Sequence, residues 1–349
     1  MRISTLLSYA GGFKEAAREI RALEKAGLDV VWVPEGYTFD AASAMGYLAA
    51  HTERVTIASG IFPIYTRTPS LLAMTAAGVD YLSNGRCMLG LGASGPQVIE
   101  GFHGVPYDAP VARIREIIDI CRRVWRRERV SHAGRHYQIP LPQNRGTGLG
   151  KPLKLLNHPV RDEIPIAVAA LGAKSVELTA ELADAWLPAF YMAEGANDVW
   201  GDALARGAAK RGAHRAPLEV FAGGDVAIGE NLEDQRELGR APAALYIGGM
   251  GARSRNFYND TFARYGYERE ARLIQDLYLS GKKAEAEAAV PRAFIDACTL
   301  IGPEGFVRDR LAALKESGVN ALNVRFAGRT PDDRVRDCEK LRSLIDQSV

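Results

Sequence analysis

The order of apolar and polar positions divides the chain into short apolar runs that alternate with amphipathic stretches. The runs have the length of strands, and a valine-rich example such as Leu28 to Pro34 is typical of a strand buried on both faces. Together the runs predict strands at 3–8, 28–34, 55–60, 86–92, 164–170, 185–190, 218–228 and 321–326.

Between these strands, apolar residues recur at the spacing of one helix face. They predict helices near 13–26, 41–52, 69–82, 114–125, 173–182, 196–211, 304–317 and 332–346. Such alternation specifies a parallel sheet, since parallel neighbours need a crossover connection. Eight strand-helix units favour an α/β fold of the closed (β/α)8 TIM barrel type. An open Rossmann sheet is the weaker alternative, because no GxGxxG turn opens a helix with an acidic residue about 20 positions later.

Two segments are too long for a minimal barrel unit. Residues 129–163 predict a short hairpin with a Gly- and Pro-rich lid after strand four. Residues 231–297 carry a Gly-rich turn, a series of aromatic residues and further helical patterns, and predict a helical insertion after strand seven. Insertions of this kind decorate the catalytic face or an oligomer interface. We expect residues 1–349 to form one TIM-barrel domain with these two insertions.

The composition, net charge and length of the apolar runs disfavour several classes of protein. Apolar residues make up 47% of the 349 positions and charged residues 25%, as in a globular protein with a large core. The formal net charge of +2 gives no support for a nucleic acid or a membrane surface as partner. The N-terminal apolar run is too short for the core of a signal peptide, and no run reaches the ~18 residues of a membrane span. We therefore expect a soluble, cytoplasmic protein.

Few sequence patterns suggest a catalytic or metal-binding site. The four cysteines are widely spaced and never form a CxxC pair, which disfavours a zinc site or a disulfide framework. No HxH or HExxH pattern predicts another metal site, and no GxSxG elbow predicts a serine nucleophile. So small an inventory suits a reaction in which a cofactor performs the difficult chemical step.

In a barrel, the active site is built from the ends of the strands and the loops that follow them. Glu35 follows strand two, and Glu100 and His103 lie in the connection after strand four. Gly60 and Gly172 follow strands three and five, where glycine lets the backbone approach a planar ligand. The turn after strand five also opens a helix, so its amides suit a phosphate or carboxylate. For any one junction alone, an ordinary tight turn remains the simpler interpretation.

Four stretches, taken in order, resemble the luciferase-like monooxygenase superfamily and, within it, the F420-dependent oxidoreductase branch. Each is a weak signal by itself, whereas the ordered set covers the barrel almost end to end. The overall likeness is to methylenetetrahydromethanopterin reductase-like enzymes. The stretches are VTIASGIFPIYTRTP (55–69), DYLSNGRCMLGLGASGPQ (80–97), EGFHGVPY (100–107) and LGAKSVELTAELADAWLP (171–188).

The resemblance implies coenzyme F420, a deazaflavin, as the cofactor. It implies a bulge after strand three with a non-prolyl cis peptide bond behind the central ring, at Gly60-Ile61 or at Ser59-Gly60. It also places contacts with the phosphate of the cofactor tail at the start of the helix after strand five. The implied cofactor-binding residues are Ser59, Gly60, Ile61, Gly92, Ala93, Ser94, Leu171, Gly172, Ala173 and Lys174.

The implied reaction is hydride transfer between reduced deazaflavin and an unsaturated or imine-like small molecule. We expect Glu35 and His103 to be the catalytic residues, with Glu100 and Tyr65 as further candidates. The related sugar-phosphate dehydrogenases carry a histidine where this chain has Gly36, which disfavours sugar-phosphate oxidation. Two alternatives stay open: an FMN-dependent monooxygenase that uses oxygen and a partner reductase, and a non-catalytic flavin-binding barrel. Family habit implies a homodimer.

Overall fold

Eight parallel strands close into a barrel in the computed structural model, which describes residues 1–8 and 12–347. Each strand pairs with the next, and the eighth pairs with the first, with Arg2 opposite Ala321 and Thr5 opposite Val324. The predicted (β/α)8 barrel is confirmed. Numbered one to eight along the chain, the barrel strands are Arg2–Leu6, Val30–Val33, Thr56–Ser59, Cys87–Gly92, Ile166–Ala169, Ala185–Leu187, Glu219–Ala222 and Ala321–Phe326.

Helices cover the outside of the barrel, and local sequence explains where several of them begin. The side chains of Asp40 and Thr68 each accept a backbone N–H in the first turn of the helix that follows. The helix predicted at 114–125 begins earlier, at Pro110, because proline suits the first helical turn. The main helices are Phe13–Lys25, Ala41–His51, Pro69–Leu82, Pro110–Trp125, Ala173–Leu182, Asp202–Lys210, Glu304–Glu316 and Pro331–Asp346.

The inside of the barrel is filled by side chains. The Trp32 ring packs edge to face on Phe221 at 5.2 Å, and its indole N–H donates to the Ser4 hydroxyl at 2.9 Å. Because the barrel is filled at this level, a ligand has room only above it, at the carboxyl ends of the strands. The filling residues are Val30, Trp32, Ala58, Met88, Ala167, Ala185, Phe221 and Ala321.

Strand seven differs from the continuous run predicted at 218–228. It breaks after Ala222, and its second piece, Asp225–Ile228, pairs with strand eight and with a further strand, Thr299–Gly302. The apolar pattern did not predict this further strand. A Cβ at Gly224 would lie 1.8 Å from the Cys298 carbonyl oxygen, so the further strand fits only because this position is glycine.

The two long connections carry their own elements. After strand four come the helix Pro96–Gly101, a hairpin of His132–Ala133 with Gln138–Ile139, and a 3₁₀ turn at Gln143–Arg145. The second connection precedes Thr299, and its apolar residues, among them Phe262 and Phe294, form most of a second apolar cluster. No helix in the part of the chain that the structure describes is long and apolar enough to cross a membrane. The second connection contains the helices Glu233–Glu237, Arg240–Ala244, Phe257–Phe262, Glu268–Leu279, Lys283–Ala288 and Arg292–Ala297.

Candidate active site

The connection after strand three forms a bulge that lies across strand four. The Gly60-Ile61 peptide bond is cis, which confirms the first of the two positions implied by the family resemblance. Immediately afterwards, Phe62–Pro63 pairs in parallel with strand four, with Phe62 opposite Leu91. The bulge is therefore anchored to strands before and after it.

Two glycines of strand four make room for the bulge. A Cβ at Gly90 would lie 1.8 Å from the Ser59 carbonyl oxygen, and one at Gly92 would lie 2.8 Å from the Ile61 side chain. A larger residue at Gly90 would collide with the Ser59 carbonyl, and one at Gly92 would collide with the Ile61 side chain, which lies over Gly92. The two glycines therefore let the half-buried Gly60-Ile61 bulge form the wall of the barrel mouth, where a planar ring can lie against it.

Ser59 is buried beneath the bulge, and its side chain is fully engaged. The buried hydroxyl donates to the Gly90 carbonyl oxygen at 2.9 Å and accepts the Gly90 N–H at 2.8 Å. The hydroxyl thus holds the bulge against strand four, and a contact between Ser59 and the cofactor stays a prediction.

Strand four runs through Gly92 into a loop that folds back over the mouth. Ala93 and Ser94 are half-buried, and Ser94 has a φ of 58°, in the left-handed region that redirects the chain. The Tyr107 hydroxyl lies 3.5 Å from the Ser94 carbonyl oxygen. Glu100, a further acid–base candidate, is exposed and accepts the Tyr107 N–H at 3.2 Å, which ties the loop together.

The turn after strand five presents open peptide groups. Gly172 precedes the helix Ala173–Leu182, and among the described residues no side chain caps this helix. Gly172, Ala173 and Lys174 are exposed, whereas Leu171 is half-buried. The first amides of a helix have no partner within it, so these N–H groups are available to an anion.

Glu35 lies at the mouth, but its carboxylate is fully engaged. Its two oxygens accept hydrogen bonds from the Arg67 guanidinium, one of them at 2.8 Å, and Oε2 also accepts the Ala41 N–H at 2.8 Å. The side chains of Glu35 and Arg67 are only 9% and 11% exposed. Arg67 also pairs with Asp40 and lies 4.3 Å from the centre of the Phe62 ring. This geometry favours a positioning role for Glu35 over the acid–base role expected from the sequence.

His103 follows the helix Pro96–Gly101 and is half-buried, with its ring edge-on to Phe102 at 5.1 Å. Its Nε2 is buried and has no hydrogen-bond partner among the described residues. A buried imidazole nitrogen left in this state is unfavourable unless water or a ligand meets it. The acid–base role of His103 stays a prediction, because the buried Nε2 must be uncovered before a ligand can contact it.

Tyr65, the other candidate, belongs to a separate cavity of about 310 Å³ beside the bulge. Its hydroxyl donates to the Asp108 carbonyl oxygen at 2.8 Å, and burial raises the pKa of this phenol. Arg113 binds the Asp108 carboxylate with two nitrogens and lies within 5.7 Å of the Tyr65 and Tyr137 rings. These groups satisfy one another, so the cavity is a structural junction between the bulge and the hairpin.

The opposite wall of the mouth contains two charged side chains that sequence reasoning missed. Arg325 Nε donates to Asp225 Oδ1 at 2.6 Å, and Nη2 donates to Oδ2. The Arg325 side chain is 57% exposed, whereas that of Asp225 is 13% exposed. Hydrogen bonding to Asp225 raises the pKa of Arg325, so the guanidinium stays charged. A signal was present in the sequence, since ALNVRF places a charge near the carboxyl end of an otherwise largely apolar strand.

Comparison with known proteins identifies the class of protein. Residues 1–321 match the luciferase-like monooxygenase family, and the chain belongs to that family. A Mycobacterium tuberculosis protein named as a coenzyme F420-dependent oxidoreductase is 38% identical over 346 residues, which are 98% of this chain and 99% of the relative. The 5,10-methylenetetrahydromethanopterin reductase of Archaeoglobus fulgidus is 24% identical over 312 residues, which are 87% and 86% of the two chains.

Solved structures share the fold. The coenzyme F420-dependent tetrahydromethanopterin reductase from Methanopyrus kandleri matches with a TM-score of 0.78 at 19% identity, over 98% of this chain and 96% of that one. An F420-dependent secondary alcohol dehydrogenase in complex with an F420-acetone adduct matches with a TM-score of 0.74 at 16% identity, over 99% and 98%. The luciferase-like form of the barrel is thereby confirmed.

Proposed function

We propose that the chain is an F420-dependent oxidoreductase that transfers hydride between reduced deazaflavin and an unsaturated or imine-like small molecule. Family membership and the names of the relatives support this cofactor. The observation that carries the proposal is the cis Gly60-Ile61 bulge at the barrel mouth, which fits against strand four because Gly90 and Gly92 have no side chains. Such a bulge accepts a planar ring at the face where barrel enzymes place their active sites.

The residues present fit coenzyme F420 at both ends of the molecule. Gly60-Ile61 and Gly92-Ala93 would back the ring, and the open amides from Gly172 to Lys174 would hold the phosphate. When bound, the cofactor supplies a two-electron hydride donor or acceptor. The surrounding loops then orient the substrate and exclude water.

His103 and Glu35 take different roles in this proposal. His103 would exchange a proton with the substrate at Nε2, the nitrogen without a partner among the described residues. Glu35 would fix Arg67, and through it the loop that follows the bulge. Only His103 is proposed to touch the reacting molecule.

Cofactor titrations test the proposal. Purified chain is expected to quench the fluorescence of coenzyme F420 and to bind FMN much more weakly. Preferential binding of FMN would contradict the proposal and favour a monooxygenase that uses oxygen and a partner reductase. Binding of neither cofactor would also contradict it.

Two substitutions at Gly172 test the phosphate site with a matched control. Gly172→Asp and Gly172→Asn both supply a residue that caps the helix, and a Cβ there meets nothing closer than 3.7 Å. Only aspartate adds a negative charge where the phosphate is to bind. Because a hydrogen bond to a charged group contributes about 1.5–3 kcal/mol, Gly172→Asp should weaken F420 binding roughly tenfold or more. Equal binding by both variants would place the phosphate elsewhere.

We also propose that the chain forms a homodimer through the outer face of the helix Pro69–Leu82. A second helix can approach this face closely, because a Cβ at Gly78 would meet nothing within 4 Å. Exposed apolar faces of this kind mark interfaces. Sedimentation should give a dimer for the wild type and a monomer for Met74→Glu, and a wild-type monomer would refute the proposal. The exposed apolar side chains of the face are Leu71, Met74, Tyr81 and Leu82.

A further inference from the structure

We infer that Arg325 is a substrate-binding residue that donates a hydrogen bond to a carbonyl oxygen of the hydride acceptor. This inference rests on the proposed function. It narrows the substrate class to compounds in which the reducible bond is, or is conjugated with, a carbonyl group. Asp225 has a positioning role, since it holds the guanidinium in place.

Strand register puts Arg325 on the inner face of the barrel. Ala321, four residues earlier on strand eight, belongs to the cluster that fills the barrel. Alternate residues of a strand share a face, so Asn323 and Arg325 point the same way. The Ser4 hydroxyl, itself inside the barrel, lies 3.3 Å from the Asn323 side-chain oxygen. Arg325 is one step further along the strand, at the mouth.

The neighbouring strand brings Arg325 close to the bulge. Thr5 of strand one pairs with Val324, so the next residues, Leu6 and Arg325, lie side by side. Leu6 is 48% exposed although it points into the barrel. Its Cδ1 lies 3.5 Å from the position that a Cβ at Gly60 would take. Leu6 thus lies between Arg325 and the proposed cofactor surface.

The guanidinium is fixed before any ligand arrives. Asp225 engages Nε and Nη2, and the Arg325 backbone N–H donates to the Gly224 carbonyl oxygen at 3.0 Å. Nη1 has no partner among the described residues and is left for a ligand. A planar donor that is already oriented loses little conformational entropy when an acceptor oxygen binds.

Charge at the mouth favours a neutral oxygen over a carboxylate. Asp225 already balances the charge of Arg325. A carboxylate ligand would bring a second negative charge to a guanidinium that Asp225 already neutralises, whereas a carbonyl oxygen needs only one strong donor.

The rest of the rim suits an apolar, flat molecule. Ala169 and Leu187 lie opposite each other in the register of strands five and six, on the face that continues the filled interior. Gly92 adds no side chain. A mostly apolar site with one fixed donor selects ligands by the position of a single polar atom. Compounds without the oxygen would leave the donor unpaired, and they should be rejected.

A chromophoric aldehyde tests the inference without turnover. The absorption of 4-(dimethylamino)cinnamaldehyde moves to longer wavelength when its carbonyl oxygen accepts a strong hydrogen bond. The full-length wild-type chain should bind this aldehyde with such a red shift. Arg325→Met should abolish the shift and weaken binding roughly tenfold to a hundredfold, as expected for loss of a hydrogen bond from a charged group. An unchanged shift in Arg325→Met would overturn the inference, as would a wild type that shows none.

Controls separate this inference from the proposed function. Arg272→Met changes an exposed arginine on the helix Glu268–Leu279 and should leave the shift intact. The double variant Asp225→Asn with Arg325→Gln leaves no uncompensated charge, so it should fold and still lack the shift. In parallel titrations, Arg325→Met should bind coenzyme F420 like the wild type. If Arg325→Met loses F420 binding but keeps the aldehyde shift, Arg325 binds the cofactor and not the substrate. If the wild type fails to bind F420 but shows the shift, only the proposed function is refuted.

Discussion

The two walls of the barrel mouth present different chemical groups to a ligand. On strands three and four, the first wall is the cis Gly60-Ile61 bulge, which fits because Gly90 and Gly92 have no side chains. On strands seven and eight, the second wall is a pair of charged side chains, Asp225 and Arg325. An apolar bulge accepts any planar ring, whereas a fixed guanidinium favours a ligand with an acceptor atom at one position. In the proposed enzyme, the first wall serves the shared cofactor and the second sets the substrate.

Both walls also depend on a glycine at a close approach of two chains. The Cβ that would be added at Gly90 lies 1.8 Å from the Ser59 carbonyl oxygen, and the one at Gly224 lies 1.8 Å from the Cys298 carbonyl oxygen. The first contact is inside the closed barrel. The second involves Thr299–Gly302, which pairs on one side only. The same collision should therefore have different consequences on the two walls.

Gly90→Ala should have the largest effect. The methyl group would meet backbone on strands that are paired on both sides, so neither strand can move away. We expect a loss of at least about 3 kcal/mol in the free energy of unfolding, measured by urea denaturation. Gly305→Ala, in a helix where a Cβ meets nothing within 4 Å, is the control and should change stability by no more than about 1 kcal/mol. A stable Gly90→Ala variant would mean that the first wall is not rigid.

Gly224→Ala is the corresponding change on the second wall. Because Thr299–Gly302 lies at the end of the sheet, it can shift away from the added methyl group. We expect a smaller loss, about 1–3 kcal/mol in the same urea experiment. If Gly224→Ala loses as much free energy of unfolding as Gly90→Ala, the two walls are equally rigid and the expected difference between them is wrong.

Glu35→Gln and Arg67→Met test whether the first wall contains a proton donor. If Glu35 acts by fixing Arg67, both variants should lose about 1–3 kcal/mol of stability, because each leaves a buried polar partner unsatisfied. Both should also lower kcat by similar factors. Turnover that fails in Glu35→Gln but persists in Arg67→Met would instead make Glu35 a catalytic acid or base.

The barrel was predictable because its signal is local. Apolar runs and helical spacing are properties of neighbouring residues, and eight units in series leave few topologies open. The break in strand seven and the strand Thr299–Gly302 were missed for the opposite reason. The four residues Thr299–Gly302, which follow a helical segment, become a strand only through pairing with residues more than 70 positions away, Asp225–Ile228.

The residues of the candidate site also differ in whether the sequence could predict their roles. The residues of the first wall lie in two of the stretches that resemble the family, so the resemblance predicts the cis bond at Gly60-Ile61 or at Ser59-Gly60. The charged pair of the second wall joins residues 100 positions apart and no motif links them. The acid–base role predicted for Glu35 takes no account of its partner Arg67, 32 positions later, because no motif in the sequence pairs the two residues.

A pH effect at the hairpin beside the first wall should be the smallest of these changes. Glu116, on the helix Pro110–Trp125, accepts the N–H of Tyr137 at 2.9 Å and that of His136 at 3.2 Å, and lies 3.1 Å from His132 Nε2. Burial raises the pKa of Glu116, but these hydrogen bonds outweigh burial and leave the pKa below its ordinary value of 4.5. The folded chain therefore favours the ionised carboxylate.

Since the folded pKa of Glu116 is lowered, its contribution to stability is present above the unfolded pKa and is lost as the pH falls through the folded pKa. Hydrogen exchange at the amides of His136 and Tyr137 should show reduced protection as the pH drops below 4.5, by about 1 kcal/mol or less. Glu116→Gln cannot ionise and should show weaker protection that no longer depends on pH in this range. An unchanged pH dependence in Glu116→Gln would place the titrating group elsewhere. A loss of stability in Gly224→Ala larger than that in Gly90→Ala would reverse the order expected for the two walls.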